Sequence, residues 1–144
     1  MYRKILVALE NGPADDTLLP HVAALAKQLG SELLLLHVAD GFAARNFDQL
    51  KLAESEEMNA DLQYLEAAAA RLRGDNLTVR VHLALGDPPA QILKTAEREH
   101  CDLIAMASHG HRFVGDMIYG STIHKVRHQT SIPVLLVRAA KKAA

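Results

Sequence analysis

A single cysteine, the lack of a long apolar stretch and a nearly balanced charge exclude several classes of protein. Cys101 has no second cysteine with which to form an internal disulfide. The wholly apolar stretches, such as residues 33–36, are far shorter than the roughly 20 residues that span a bilayer. The 16 basic and 17 acidic side chains give a net charge of −1, without the basic excess of a nucleic-acid-binding surface. We therefore expect neither a membrane nor nucleic acid as a partner.

The composition is that of a compact globular protein. Hydrophobic residues make up 49% of the chain and charged residues 23%, which is average for folded domains. The 144 residues have the length of one ordinary domain. The first residues lead directly into an apolar run, and no signal-peptide cleavage site follows. We expect one domain over residues 1–144, located in the cytoplasm.

Short apolar runs alternate with helical patterns along the chain. Strands are predicted over residues 5–9, 32–38, 77–85, 102–107 and 132–137. Apolar residues at three- and four-residue spacing predict the intervening helices, with Gly30 and Gly74 as stops and Asp87 as an N-cap before two prolines. Thr17 is expected to cap the first helix, because Pro20 is best tolerated in a first turn.

This alternation predicts βαβ units and therefore an α/β fold with a parallel, doubly wound sheet covered on both faces. In such sheets ligands bind beyond the carboxyl ends of the strands, where the strand order reverses. The loops after the first and fourth strands are the expected site.

The segment over residues 106–122 carries the glycines typical of an anion cradle. At Gly110 and Gly120, backbone N–H groups can approach an anion without a Cβ in the way, and a helix N-terminus attracts negative charge. The hydroxyls of Ser121 and Thr122 can donate further hydrogen bonds, and Arg112 can neutralise charge. The segment therefore predicts a phosphate-binding site, with a nucleotide dissociation constant on the order of micromolar.

These residues resemble the universal stress protein family over residues 3–138. The nucleotide-binding branch of that family carries Gly-x2-Gly-x9-Gly-Ser/Thr, and this chain has Ala107-x2-Gly110-x9-Gly120-Ser121 at the same spacing. The predicted first strand, the end of the second strand and the last strand are also similar to those of the family. The match covers nearly the whole chain.

The resemblance implies a five-stranded parallel sheet in the order 3-2-1-4-5, as a Rossmann-like three-layer sandwich. It implies ATP between strands one and four, with or without Mg²⁺, and a homodimer joined through the strand that starts at Ile132 and ends at Val137. The implied role is a nucleotide-dependent regulatory module in the stress response, acting on an unknown protein partner. The expected nucleotide-binding residues are Ala8, Glu10, Val38, Met106, Ala107, Gly110, His111, Arg112, Gly120, Ser121 and Thr122.

Two departures from the family pattern leave an alternative open. Ala107 replaces the first motif glycine, and Glu10 replaces the usual first-strand aspartate. The alternative is a dimeric interaction scaffold with a degenerate, non-binding pocket. No Gly-Lys-Ser/Thr P-loop and no catalytic constellation are present, so at most slow ATP hydrolysis is expected.

The remaining reactive side chains favour structural roles. His124 and His128 stand four residues apart, as a metal pair would, but no cysteine or acidic cluster accompanies them, and no metal site is predicted. His37 at the end of the second strand is interpreted as a structural histidine with its hydrogen bonds satisfied, rather than as a base. Cys101 is interpreted as a small core residue.

Overall fold

The computed structural model describes residues 1–39, 48–109 and 116–140, the side chains of residues 48–55 and 116–119 excepted. Strands and helices alternate along the chain. In order they are β1 (Lys4–Leu9), α1 (Asp15–Leu29), β2 (Glu32–Ala39), α2 (Asp48–Arg73), β3 (Val79–Leu85), α3 (Pro88–Arg98), β4 (Leu103–Ser108), α4 (Asp116–Gln129) and β5 (Val134–Arg138). None of the helices in the described ranges is long and apolar enough to cross a membrane.

The five strands form one parallel sheet in the order β3-β2-β1-β4-β5. This confirms the predicted fold class and strand order. The order reverses between β1 and β4, which are neighbours although two strands and three helices separate them in sequence. Ala8 of β1 lies opposite both Leu36 of β2 and Met106 of β4, so the carboxyl ends of these three strands lie side by side. A crevice is expected there.

The apolar runs are buried on both faces of the sheet because their side chains alternate between two core layers. Ile5 and Val7 of β1 belong to the layer that includes residues of α1 and α2. Leu6 belongs to the opposite layer, with Ile92 of α3 and Val126 of α4. Helices therefore cover both faces, as in a doubly wound sheet.

Several predicted boundaries are confirmed by the structure. Gly30 ends α1 in the left-handed conformation, with φ 67° and ψ 33°, and its N–H donates to the carbonyl of Ala26. Asp87 caps α3, where its carboxylate accepts the N–H of Ala90 at 3.3 Å.

The last strand starts at Val134 rather than at the predicted Ile132, because Pro133 has no N–H to contribute to a ladder.

The predicted start of the first helix was wrong. The helix α1 already begins at Asp15, so Thr17 lies within it and Pro20 is a proline inside the helix. The reason is that Asp15 binds the preceding turn with its carboxylate and sets the start two residues before Thr17. The structure tolerates the missing N–H of Pro20 at an exposed position of the helix.

Replacing Gly30 with alanine is expected to lower the free energy of unfolding by about 1 kcal/mol, because a Cβ is strained at φ 67°. Gly12→Ala is the matched control, since Gly12 has no positive φ and an added Cβ there meets no described atom within 4 Å. Urea denaturation of the two variants measures the difference. Equal losses at both positions would contradict the assignment of strain to Gly30.

Candidate functional site

A cavity of about 160 Å³ opens where β1, β2 and β4 end, between the sheet and helices α3 and α4. It lies at the point where the strand order reverses. Several residues predicted from the sequence line it together: Ala8, Glu10, Val38, Met106, Ala107 and Thr122. Neither Gly120 nor Ser121, which precede Thr122 on α4, is among its lining residues.

Most of the wall is apolar. Met106 of β4 and Ile92 of α3 are buried at 5% and 3% exposure, and both belong to the core layer beneath α3 and α4. Ala8 and Val38 pack against the same layer. The cavity is therefore an apolar slot with polar groups at its edges, which is the usual composition of a small-molecule site.

Ala107 replaces a glycine of the family pattern, but its methyl group does not fill this slot. Side chains alternate along β4, so the methyl group of Ala107 joins Ile5 and Val7 in the core layer next to α1. Met106, like Ile104, belongs to the layer on the cavity side. The extra methyl group is thus accommodated by the core.

Glu10 and His109 meet beside the cavity. Glu10 follows β1 and His109 follows β4, and Oε2 of the glutamate lies 2.6 Å from Nε2 of the imidazole. An ionised carboxylate only accepts hydrogen bonds, so Nε2 is the protonated nitrogen in this contact. This hydrogen bond links the ends of β1 and β4, the two strands between which the strand order reverses. It fixes the position of the Glu10 carboxylate beside the imidazole of His109.

The turn between β1 and α1 has its backbone donors already occupied. The carboxylate of Asp15 accepts the N–H groups of Glu10 at 3.0 Å, Asn11 at 2.9 Å and Gly12 at 3.4 Å. Three successive N–H groups before a helix are the kind of nest that binds a phosphate in other α/β folds. Here the protein's own carboxylate fills that position.

His37 lines the cavity and has partners on both ring nitrogens. Nδ1 lies 2.9 Å from the carbonyl oxygen of Leu9, and Nε2 lies 3.6 Å from Oδ2 of Asp61. The carbonyl can only accept, so Nδ1 donates to it. The prediction of a hydrogen-bonded structural histidine is confirmed, but the side chain is also part of the cavity wall.

The central part of the predicted phosphate cradle lies outside the described residues. This applies to Gly110, His111 and Arg112. The helix α4 begins at Asp116, so Gly120 and Ser121 lie in its second turn, where backbone N–H groups bond within the helix. Contacts from Ser121 and Thr122 would therefore use their hydroxyl groups.

Sequence reasoning missed several residues of the cavity wall. The helix α3 contributes Pro88, its first residue, and Ile92. Leu9, Leu36 and Ile123 complete the apolar lining. Only a known strand order could have indicated Pro88 and Ile92, because α3 reaches the cavity by crossing over the sheet.

His124 and His128 pack against each other on α4, with ring centroids 4.2 Å apart and planes inclined by 59°. In the described part of the chain, no group of three or more histidine, cysteine, aspartate and glutamate side chains could hold a metal ion. The pair is a ring contact on an exposed helix surface.

Cys101 is a buried core residue, as predicted, and burial raises the pKa of its thiol to about 11. At pH 8 the thiolate fraction is therefore very small. Labelling of the native protein with a disulfide reagent is expected to be about 100-fold slower than labelling in urea, since only the thiolate reacts. Stopped-flow absorbance measures both rates, and equal rates would show that the thiol is accessible.

Fold and cavity together define a doubly wound α/β protein with an apolar cleft at its switch point. The family model described as "Universal stress protein family" matches residues 1–138. The chain belongs to the universal stress protein family.

Curated relatives cover almost the whole chain. The sequence is 28% identical to universal stress protein MJ0577 of Methanocaldococcus jannaschii, over 96% of each protein. It is 30% identical to a universal stress protein of Methanothermobacter thermautotrophicus, over 96% of this chain and 97% of the relative.

Solved structures share the fold. The structure of MJ0577 superposes with a TM-score of 0.84 at 26% identity, over 99% of each chain. A universal stress protein in complex with cAMP superposes with a TM-score of 0.72 at 14% identity, over 96% of this chain and 98% of that one. A third, from Archaeoglobus fulgidus in complex with dAMP, has a TM-score of 0.66 at 21% identity, over 94% and 98%.

Proposed function

We propose that this protein binds ATP or another adenine nucleotide in the cavity and acts as a nucleotide-dependent regulatory module in a cytoplasmic stress response. The observation that carries the proposal is an apolar slot edged by polar groups at the switch point of the sheet. The ligands of two structural relatives, cAMP and dAMP, are both adenine nucleotides and support the same class of ligand.

The apolar part of the cavity suits a planar base. Its volume of about 160 Å³ is close to that of a cavity of about 150 Å³ that accepts benzene in another protein. The ladder between β1 and β2 ends with Leu9 opposite His37, so Val38 lies beyond it while still opposite Ala84 of β3. We assign the adenine contact to the backbone of Val38 and the base-stacking walls to Ile92 and Met106.

The phosphates are assigned to the side of the cleft formed by β4 and α4. Asp15 occupies the donors of the β1–α1 turn, which leaves the segment after β4 for an anion. A Cβ added to Gly120 would meet no atom of the described residues within 4 Å. Gly110, Ser121 and Thr122 are the proposed phosphate contacts, and Gly120 is proposed to adjoin the phosphates without a side chain that would obstruct them, with His111 and Arg112 beside them.

The ribose is assigned to the end of β1, near Ala8 and Glu10. The bond between Glu10 and His109 holds the longer carboxylate of glutamate beside the cavity. Together with the accommodated methyl group of Ala107, this favours a binding module over a scaffold with a degenerate pocket.

A homodimer through β5 completes the proposal. This strand is an edge of the sheet, and Leu136 on it is 37% exposed. An apolar edge strand favours pairing with a second copy. Sedimentation velocity at micromolar concentration is expected to show a dimer, and a stable monomer would contradict this part of the proposal.

The nucleotide assignment is tested by calorimetric titration of the purified protein with ATP, ADP and AMP, each with and without Mg²⁺. We expect a dissociation constant on the order of micromolar for at least one adenine nucleotide. Native mass spectrometry of the protein as purified detects nucleotide that co-purifies. Absence of both co-purified and titratable adenine nucleotide would overturn the proposal.

A further inference from the structure

Asp15, the first residue of α1, carries a carboxylate that is completely buried. Oδ1 accepts the N–H of Glu10 at 3.0 Å, and Oδ2 accepts the N–H groups of Asn11 at 2.9 Å and Gly12 at 3.4 Å. Oδ2 also accepts the hydroxyl of Tyr64 at 2.5 Å. A buried carboxylate is stable only when such donors replace water. The turn between β1 and α1 is thus held around this one group.

The helix α2 supplies a second contact to the same turn. Asp61 lies three residues before Tyr64, and therefore on the same face of α2. Its Oδ1 accepts the side-chain N–H of Asn11 at 2.7 Å, and its Oδ2 lies 3.6 Å from Nε2 of His37. One face of α2 therefore contacts both the β1–α1 turn and a side chain of the cavity wall.

We propose that Asp15 and Tyr64 are positioning residues for the adenine nucleotide: the Asp15 carboxylate holds the turn that carries Glu10, and the Tyr64 hydroxyl ties that turn to α2. Neither side chain lines the cavity, so both act through the backbone of the turn. The identity of the ligand in this inference rests on the proposed function.

The physical basis is the ordering of the turn before the ligand arrives. Burial and the bond to Asp15 raise the pKa of the Tyr64 hydroxyl, so it remains a donor throughout the physiological range. Without that donor, Oδ2 of the buried carboxylate keeps only the N–H groups of Asn11 and Gly12, and the turn loses one of its hydrogen-bonded ties to α2, so it is held less firmly. Nucleotide binding must then also order the turn, which lowers the affinity. By linkage, bound nucleotide stabilises the contact between the turn and α2.

The test compares Tyr64→Phe with Tyr2→Phe, which removes the same hydroxyl before the start of β1, at the opposite edge of the sheet. Both variants keep the aromatic ring, and circular dichroism confirms the fold. We expect Tyr64→Phe to accelerate exchange of the amide hydrogens of Glu10, Asn11 and Gly12 about tenfold in the nucleotide-free protein, and to weaken ATP binding about 5- to 10-fold. Tyr2→Phe is expected to change either quantity less than twofold.

A second measurement uses the unaltered protein. Saturating ATP is expected to slow exchange of the same three amides, because binding and ordering of the turn are linked. Unchanged exchange in nucleotide-free Tyr64→Phe overturns the positioning role, whether or not any nucleotide binds. Faster exchange with unchanged ATP affinity overturns the link to the ligand. Failure of the unaltered protein to bind ATP overturns the proposed function, while the exchange result still decides whether Tyr64 holds the turn.

Discussion

Replacing Ala8 with leucine is expected to weaken ATP binding at least about 100-fold, because the larger side chain fills the part of the cavity that is assigned to the nucleotide. Ala8 lies on β1 opposite Met106, and its side chain packs against the core layer on the cavity side. The added carbons would enter a cavity of about 160 Å³ rather than a filled core. The fold should therefore tolerate the change while the ligand loses its space. Isothermal titration calorimetry measures the loss.

The matched control for this substitution is Ala90→Leu, the same chemical change at an exposed position of α3. We expect ATP affinity within about twofold of the unaltered protein for Ala90→Leu, since surface substitutions have small effects. Thermal unfolding of both variants establishes that they are folded. If Ala8→Leu binds ATP as well as Ala90→Leu, the nucleotide does not use this cavity.

Asp15→Ala is expected to lower the free energy of unfolding by about 3 to 5 kcal/mol, because each buried donor left without its acceptor costs about 1 to 3 kcal/mol. The substitution leaves the N–H groups of the β1–α1 turn and the hydroxyl of Tyr64 without their acceptor. Small domains have only about 5 to 15 kcal/mol of stability, so the loss is a large share of the total. Urea denaturation at pH 7 measures it.

Asp16→Ala serves as the control, because Asp16 is the next residue of α1 and is exposed. It also removes one negative charge from the first turn of the helix, where such a charge contributes less than about 1 kcal/mol. The comparison separates the electrostatics of the helix end from the hydrogen bonds of the turn. Similar losses for the two variants would show that the buried carboxylate does not hold the turn.

The two sides of the cleft have different roles in the proposed site. On the β1 side the protein's own carboxylate satisfies the backbone donors, and the turn carries Glu10 in a defined position. On the β4 side, Met106 and Thr122 line the cavity next to the start of the predicted phosphate cradle. The proposed nucleotide is therefore expected to bind in one orientation, with its phosphates directed toward α4.

The helix start shows why some local predictions from sequence were wrong. Pro20 indicated a first turn, since proline is least costly there. The buried carboxylate of Asp15 determined the start instead, and its donors include Tyr64, which is 49 residues away in sequence. A tertiary contact thus outweighed a local preference that was itself reasonable.

The sequence by itself determined the fold class, the alternation of elements and most of their ends. Apolar runs, helical spacing and residues such as Gly30 and Asp87 act over a few neighbouring positions, so their effects are visible in one dimension. The switch-point rule for doubly wound sheets also indicated the loops after the first and fourth strands, and β1 and β4 do end at the cleft.

Only the tertiary structure decided how the cleft is built. The bond between Glu10 and His109 joins residues 99 positions apart, and the bond between Asn11 and Asp61 joins residues 50 apart. The share of the wall that α3 supplies likewise follows from a crossover above the sheet. Such contacts depend on which strands become neighbours, and no local pattern of residues encodes that pairing.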